Sequence, residues 1–237
     1  EEARKVDDVN SSATITTGGK GAEKIKKFTW WRKLTADKVH FNTLTRFHEP
    51  AEVRGEGILF LEKGDDQNDV QMYLPAYKKI RRVESQSQSG SFMGSEFSYS
   101  DIASPHLDDY TYKYLRETDC SAETGAKNMK CHEDEAIPST EAVKERTGYS
   151  KTVQWIRPDN FMAVKGEFFD LKGELLKKMS ATEITEVDQT KHKWMSLSVR
   201  IENVKSGRYT LLKFADVKAN AGIPDSTFSQ QNLARGK

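Results

Sequence analysis

Residues 192–220 read HKWMSLSVRIENVKSGRYTLLKFADVKAN. Met195, Leu197, Val199 and Ile201 recur at every second position, with Ser196, Ser198 and Arg200 between them. Strict alternation places all four apolar side chains on one face of a β-strand. The polar stretch VKSG, ending in Gly207, interrupts the pattern before RYTLLKFADVKAN resumes it. Two alternating runs joined by a short polar turn predict an antiparallel hairpin.

The same pattern recurs in both directions from this hairpin. FMAVKGEFFD and ELLKKMSATEITEV predict another hairpin with Gly173 at its turn. KTVQWIR reads as a strand ended by Pro158. In KFTWWRKL, Phe28, Trp30 and Arg32 share a side. In KVHFNTLTRF, Val39, Phe41, Thr43, Thr45 and Phe47 share a face, with His40, Asn42, Leu44 and Arg46 opposite. GILFLEK and VQMYLPAYKKIRRVE follow, separated by the turn-like KGDDQNDV, and DDYTYKYLRE aligns Tyr110, Tyr112 and Tyr114. This gives about ten strands with short polar turns, which predicts a meandering antiparallel sheet. Short helices are expected within SFMGSEFSYSDIAS, residues 91–104, with Ser98 or Ser100 as N-cap before Asp101, and near 138–148 and 224–236. The 237 residues suit a single domain, 1–237.

Lys plus Arg number 37 and Asp plus Glu 36, a net charge of +1. That balance, without a basic run, argues against a nucleic-acid partner held by phosphate contacts. No run approaches the roughly 18 apolar residues of a membrane helix. The chain starts at Glu1 without a charged and apolar leader, which fits a signal peptide already removed. Cys120 and Cys131 flank SAETGAKNMK. They can pair if two antiparallel strands meet across that turn, or remain two thiols. A disulfide would imply an oxidising compartment.

No nucleophile elbow, phosphate loop or zinc spacing is found, so neither an enzyme nor a metal or other cofactor is expected. Cys131, His132, Glu133 and Asp134 read as a solvated charged stretch. Lys78, Lys79, Arg81 and Arg82 read first as a solvated sheet edge, where basic residues discourage strand pairing. The alternative is a docking patch for an acidic partner or an anionic lipid.

The irregular stretch 85–108 contains QSGSFMGSEFSYSDIA, residues 88–103. Phe92, Met93, Phe97 and Tyr99 are too apolar for an ordinary loop. A stretch of this length without regular structure is usually functional or disordered, and its aromatic content argues against disorder.

Several blocks in order carry a resemblance: PAEVRGEGILF, YLPAYKKIRRV, SGSFMGSEFSYSDI, DDYTYKYL, GYSKTVQWI, EFFDLKGELLK and NAGIPDSTFSQQNL. Together they make the chain similar to the outer membrane lipoprotein-sorting protein family of the LolA-like superfamily, from about Thr35 to Leu233. The signature of the lipoprotein carrier itself is not found. The segment 119–148 matches no family pattern, so the cysteine pairing gains nothing from the resemblance.

The resemblance implies a mainly β (α+β) fold: one strongly curved antiparallel sheet of about eleven strands, an incomplete barrel. Short helices and loops would cover its concave face. It implies a monomeric periplasmic carrier of lipid or lipoprotein acyl chains in a Gram-negative bacterium, working toward the outer membrane. An inner-membrane transporter of the resistance-nodulation type is the implied partner. Phe92, Met93, Phe97 and Tyr99 would form a cover, and Trp30, Phe41, Phe60, Met72 and Trp155 would line the cavity. The competing reading is a non-carrier adaptor or sensor that docks on an envelope transporter, with its interior filled by its own side chains.

Overall fold

The computed structural model describes residues 2–19, 21–63, 68–103 and 106–235. Thirteen strands form one antiparallel sheet. They are β1 (Asp8–Gly18), β2 (Lys24–Leu34), β3 (Phe41–Glu49), β4 (Gly57–Leu61), β5 (Asp69–Leu74), β6 (Lys79–Val83) and β7 (Tyr110–Asp119). They continue with β8 (Lys130–Pro138), β9 (Lys151–Ile156), β10 (Ala163–Phe169), β11 (Leu175–Asp188), β12 (Lys193–Asn203) and β13 (Tyr209–Ala219). The strand number exceeds both sequence-based expectations. β1 gives only a weak strand pattern because two of its inward positions are small: Ser11 and Ala13 lie between Trp30 and Phe28 of β2 on one side and Phe214 of β13 on the other. The small side chains let Trp30 and Phe214 meet edge to face, 5.4 Å apart. β8 carries no strand pattern in its sequence because KCHEDEAIP is highly charged. Val39 does not join the strand face of Phe41 but lies exposed in the preceding turn.

The sheet order is β6-β5-β4-β3-β2-β1-β13-β12-β11-β10-β9-β8-β7. β1 pairs with β13, so the first and last strands meet in the middle of the sheet. The two edges are then β6 and β7, which are consecutive in the chain. Every neighbouring pair is antiparallel. With an odd number of strands, β6 and β7 point the same way. Parallel strands cannot be joined by a tight hairpin; the chain must travel back along the strand length. The described residues of the connection, 84–103 and 106–109, make that return across the concave face, and the barrel is left unclosed.

The concave face holds the main core: Ala13, Ile15, Phe28, Trp30, Phe47, Ile58, Phe60, Val70, Ile201 and Leu212, with Phe92, Phe97, Ile102 and Ala103 from the crossing segment. The convex face of β3–β5 is also covered. Leu44, Leu59 and Tyr73 pack there against Ile223, Phe228 and Leu233 from the C-terminal segment. A Cβ on Gly57 would come within 2.8 Å of Leu233 Cδ1, so glycine permits this close approach.

Of the four short α-helices among the described residues, three carry a side-chain N-cap, and the one at Ser98 is a cap that the sequence predicts. α1 (Tyr99–Ile102) has a capping box in which the Ser98 hydroxyl accepts from the Asp101 amide and Asp101 accepts from the Ser98 amide. α2 (Ser121–Thr124) links β7 to β8, and there Cys120 and Cys131 are joined by a disulfide. α3 (Glu141–Thr147) is capped by Thr140 and closed by left-handed Gly148. α4 (Gln230–Ala234) is capped by Ser229.

Candidate ligand cavity

A cavity of about 310 Å³ lies between the concave face and the crossing segment. Its walls come from both halves of the sheet: Val9, Trp30 and Phe41 on one side, and Phe168, Met179, Ala181, Val199 and Ile201 on the other. Strands this far apart in the sheet order face one space only if the sheet is strongly curved. Phe97, Ser100, Asp101, Ile102 and Ala103 form the cover.

Arg4, Arg32, Trp194 and Met195 also line this space. The Arg32 guanidinium stacks on the Phe41 ring, 3.9 Å from its centroid. Burial pushes Arg32 down to about 10, an effect opposed by Glu62 and reinforced by Arg4. Alternation already placed Arg32 beside Trp30, although it suggested no cavity role. Phe168 and Met179 had only the general strand pattern as a signal, because their facing each other depends on how β10 and β11 curve.

Of the residues expected to line or cover a cavity, Trp30, Phe41 and Phe97 contribute to its wall. Phe60 and Phe92 are fully buried beside it, with Met72, Met93 and Tyr99 packed against the same cluster. Trp155 lies elsewhere. It alternates with Gln154, which faces the cavity, and packs with Cys120, Cys131, Val153 and Val164 on the opposite side of the sheet. Lys165 stacks over its ring at 4.2 Å.

Lys78 sits in a left-handed turn before β6, and Lys79, Arg81 and Arg82 are exposed along that edge strand. Arg82 pairs with Asp69 at 3.0 Å, which holds part of the basic row within the sheet.

The crossing segment is anchored at many points. Phe92 donates its amide to the Phe97 carbonyl at 2.8 Å, and Ser91 bridges Ser98. Lys26 donates to the Met93 carbonyl at 2.8 Å, and the Glu96 amide donates to Thr210 at 2.9 Å. Arg208 pairs with Glu96 at 3.1 Å. At the other end Asp101 receives Lys177 at 3.1 Å and the Tyr149 hydroxyl at 2.9 Å. Burial beside the Asp101 carboxylate holds the Tyr149 phenol well above the ordinary tyrosine range. Gly94 has φ +75, and Met93 also occupies the left-handed region, at φ 53.

A family model described as an uncharacterized protein family matches residues 40–235, most of the chain. The chain belongs to this family. No curated protein matches the sequence. Among solved structures, a DUF1329 family protein from Desulfovibrio piger aligns at 25% identity with a TM-score of 0.87, covering 98% of this chain and 93% of its own. A putative outer membrane lipoprotein-sorting protein domain from Vibrio parahaemolyticus aligns at 24% identity and TM-score 0.86, covering 96% and 92%. A LolA superfamily protein from Nitrosomonas europaea aligns at 24% identity and TM-score 0.72, covering 98% and 94%. The chain therefore has the LolA-like fold that its sequence blocks resembled, and the likeness runs over nearly the whole length of each neighbour.

Proposed function

We propose that the protein is a periplasmic carrier that shelters an acyl chain of a lipid or lipoprotein in the cavity and moves it toward the outer membrane. The observation that carries this reading is the cavity of about 310 Å³ between the curved sheet and the crossing segment, lined mostly by apolar side chains with Arg4, Arg32, Asp101 and Gln154 among them. Each methylene removed from water contributes about 0.8 kcal/mol, so such a space can retain a chain that no flat surface patch could hold. The carrier acts by binding rather than by catalysis, as a monomer and without a cofactor. The oxidised Cys120–Cys131 pair suits an oxidising compartment such as the periplasm. The lipoprotein-sorting description of a structural neighbour points the same way.

The test is mass spectrometry of lipids extracted from protein purified out of a bacterial periplasm. Stoichiometric acyl lipid is expected, and it should be lost when Ala181→Phe fills the cavity. Protein that emerges empty, and that binds no acyl probe when one is added, would overturn the proposal.

The second reading is an adaptor that docks on an inner-membrane transporter of the resistance-nodulation type. It is favoured by the exposure of Lys79, Arg81 and Arg82 on an edge strand. Replacing Arg81 and Arg82 with Glu should then abolish capture by the transporter while leaving lipid content unchanged. Unaltered capture removes this patch as the docking surface.

A further inference from the structure

We propose that the concave flank of β7–β10 is a second ligand subsite, continuous with the cavity. It would hold the proximal part of the acyl chain and an ester- or amide-linked head that is uncharged or carries an amine. The inference rests on the carrier reading and specifies how its ligand is divided between two places.

The first support is capacity. A cavity of roughly 150 Å³ accommodates benzene, so 310 Å³ accommodates roughly a dozen carbons on the same scale. Membrane acyl chains are longer and carry a head. The excess must lie on a surface contiguous with the cavity.

The second support is register. Tyr114 pairs with Asp134, Asp134 with Gln154, Gln154 with Gly166, and Gly166 with Met179. Gln154 and Met179 both line the cavity. Lateral neighbours in a sheet point to the same face, so this file runs from the cavity to the open edge of the sheet on its concave side. Gly166 keeps the file low. A Cβ there would stand 3.2 Å from Phe168 and 3.3 Å from Met179, so its absence lets both side chains lie down over the strand.

The third support is the character of the surface. Tyr114 is 57% exposed although it belongs to the concave face. Its ring meets His132 edge to face at 5.8 Å. A tyrosine offers an apolar ring and a hydroxyl, which match the boundary between an acyl chain and its linker. The charged groups on this face of β7 and β8 are Glu117, Asp119 and Asp134 against Lys130, with Lys130 3.7 Å from Asp119 and Glu117 3.9 Å from His132. That acidic balance disfavours an anionic head.

The experiment measures affinity for 1-monoacylglycerols of increasing length, from roughly ten to eighteen carbons, by titration calorimetry. For the unaltered protein, affinity should rise roughly fourfold per methylene up to about a dozen carbons and continue to rise, less steeply, beyond. Tyr114→Ser should leave the shortest chain within about twofold. It should remove the gain beyond a dozen carbons, leaving the longest chain about tenfold weaker. Tyr114 is exposed and lies outside the cavity wall, so the substitution leaves the fold and the cavity in place. Two results overturn the inference alone: a plateau at a dozen carbons in the unaltered protein, or long-chain affinity unchanged in Tyr114→Ser. Failure to bind any length would instead bring down the carrier reading, and this subsite with it.

Discussion

Lys177 on β11 donates to Asp101 on α1 across 3.1 Å, and both side chains are almost wholly withdrawn from solvent. Residues 76 apart in the chain are thereby joined at the point where the crossing segment leaves the cavity. Lys177 also donates to the Tyr149 hydroxyl at 2.8 Å. Removing one member of a buried ion pair leaves the other charge uncompensated, at a cost of about 3–5 kcal/mol. Lys177→Met should therefore destabilise by roughly that amount in urea unfolding. The double variant Lys177→Met with Asp101→Asn should recover part of the loss.

The same cluster makes stability depend on alkaline pH. Tyr149 has a folded pKa raised above its unfolded value, chiefly by burial and then by Asp101. The protonated phenol is thus favoured in the folded state. Its contribution is fully present below the unfolded tyrosine pKa of about 10 and is lost as pH rises above it. Unfolding free energy should fall above that pH, and Tyr149→Phe should reduce the slope.

Backbone bonds and burial make the 91–98 turn part of the core rather than a loose flap. The amides of Phe92 and Ser95 within it, and of Tyr99 just after it, donate to backbone carbonyls. Hydrogen exchange followed by mass spectrometry should show protection of 91–99 close to that of β2 and β3. Phe92 is fully buried, so Phe92→Ala should cost about 3–5 kcal/mol. Rapid exchange throughout this turn would instead assign it the mobility of a lid.

The disulfide closes a short hairpin, with a sequence separation of 11. A loop of that size restrains the unfolded chain by roughly 3 kcal/mol in the chain-entropy model. Replacing both Cys120 and Cys131 with Ser should lower stability by about that amount, measured by denaturant unfolding under non-reducing conditions.

Leu233 is fully buried against the convex face, and Arg46 donates to the neighbouring Asn232 carbonyl at 2.7 Å. Leu233→Ala should cost about 2–5 kcal/mol in thermal or chemical unfolding, although it lies on the far side of the sheet from the cavity.

The reach of the sequence can be judged from particular residues. Met195, Val199 and Ile201 were legible as one stripe, and all three line the cavity. The Ser98 cap was legible because capping is a local hydrogen-bond pattern. Trp155 was not legible. Alternation separates Trp155 from Gln154 but does not say which of the two faces inward, and here the smaller polar residue does. β1 was hidden because Ser11 and Ala13 are selected by the aromatic residues on neighbouring strands, Trp30, Phe28 and Phe214.

By itself, then, the sequence determined the strand-rich class, the hairpins it reads, three of the four short α-helices among the described residues and the apolar character of 88–103, because each depends on neighbours within a few positions. The tertiary structure decided that β1 closes against β13 some 200 residues away, which makes β6 and β7 parallel edges. It also decided that the connection between them must return through the concave face. Pairing across such a distance is set by the summed packing of the whole sheet, which no local pattern encodes.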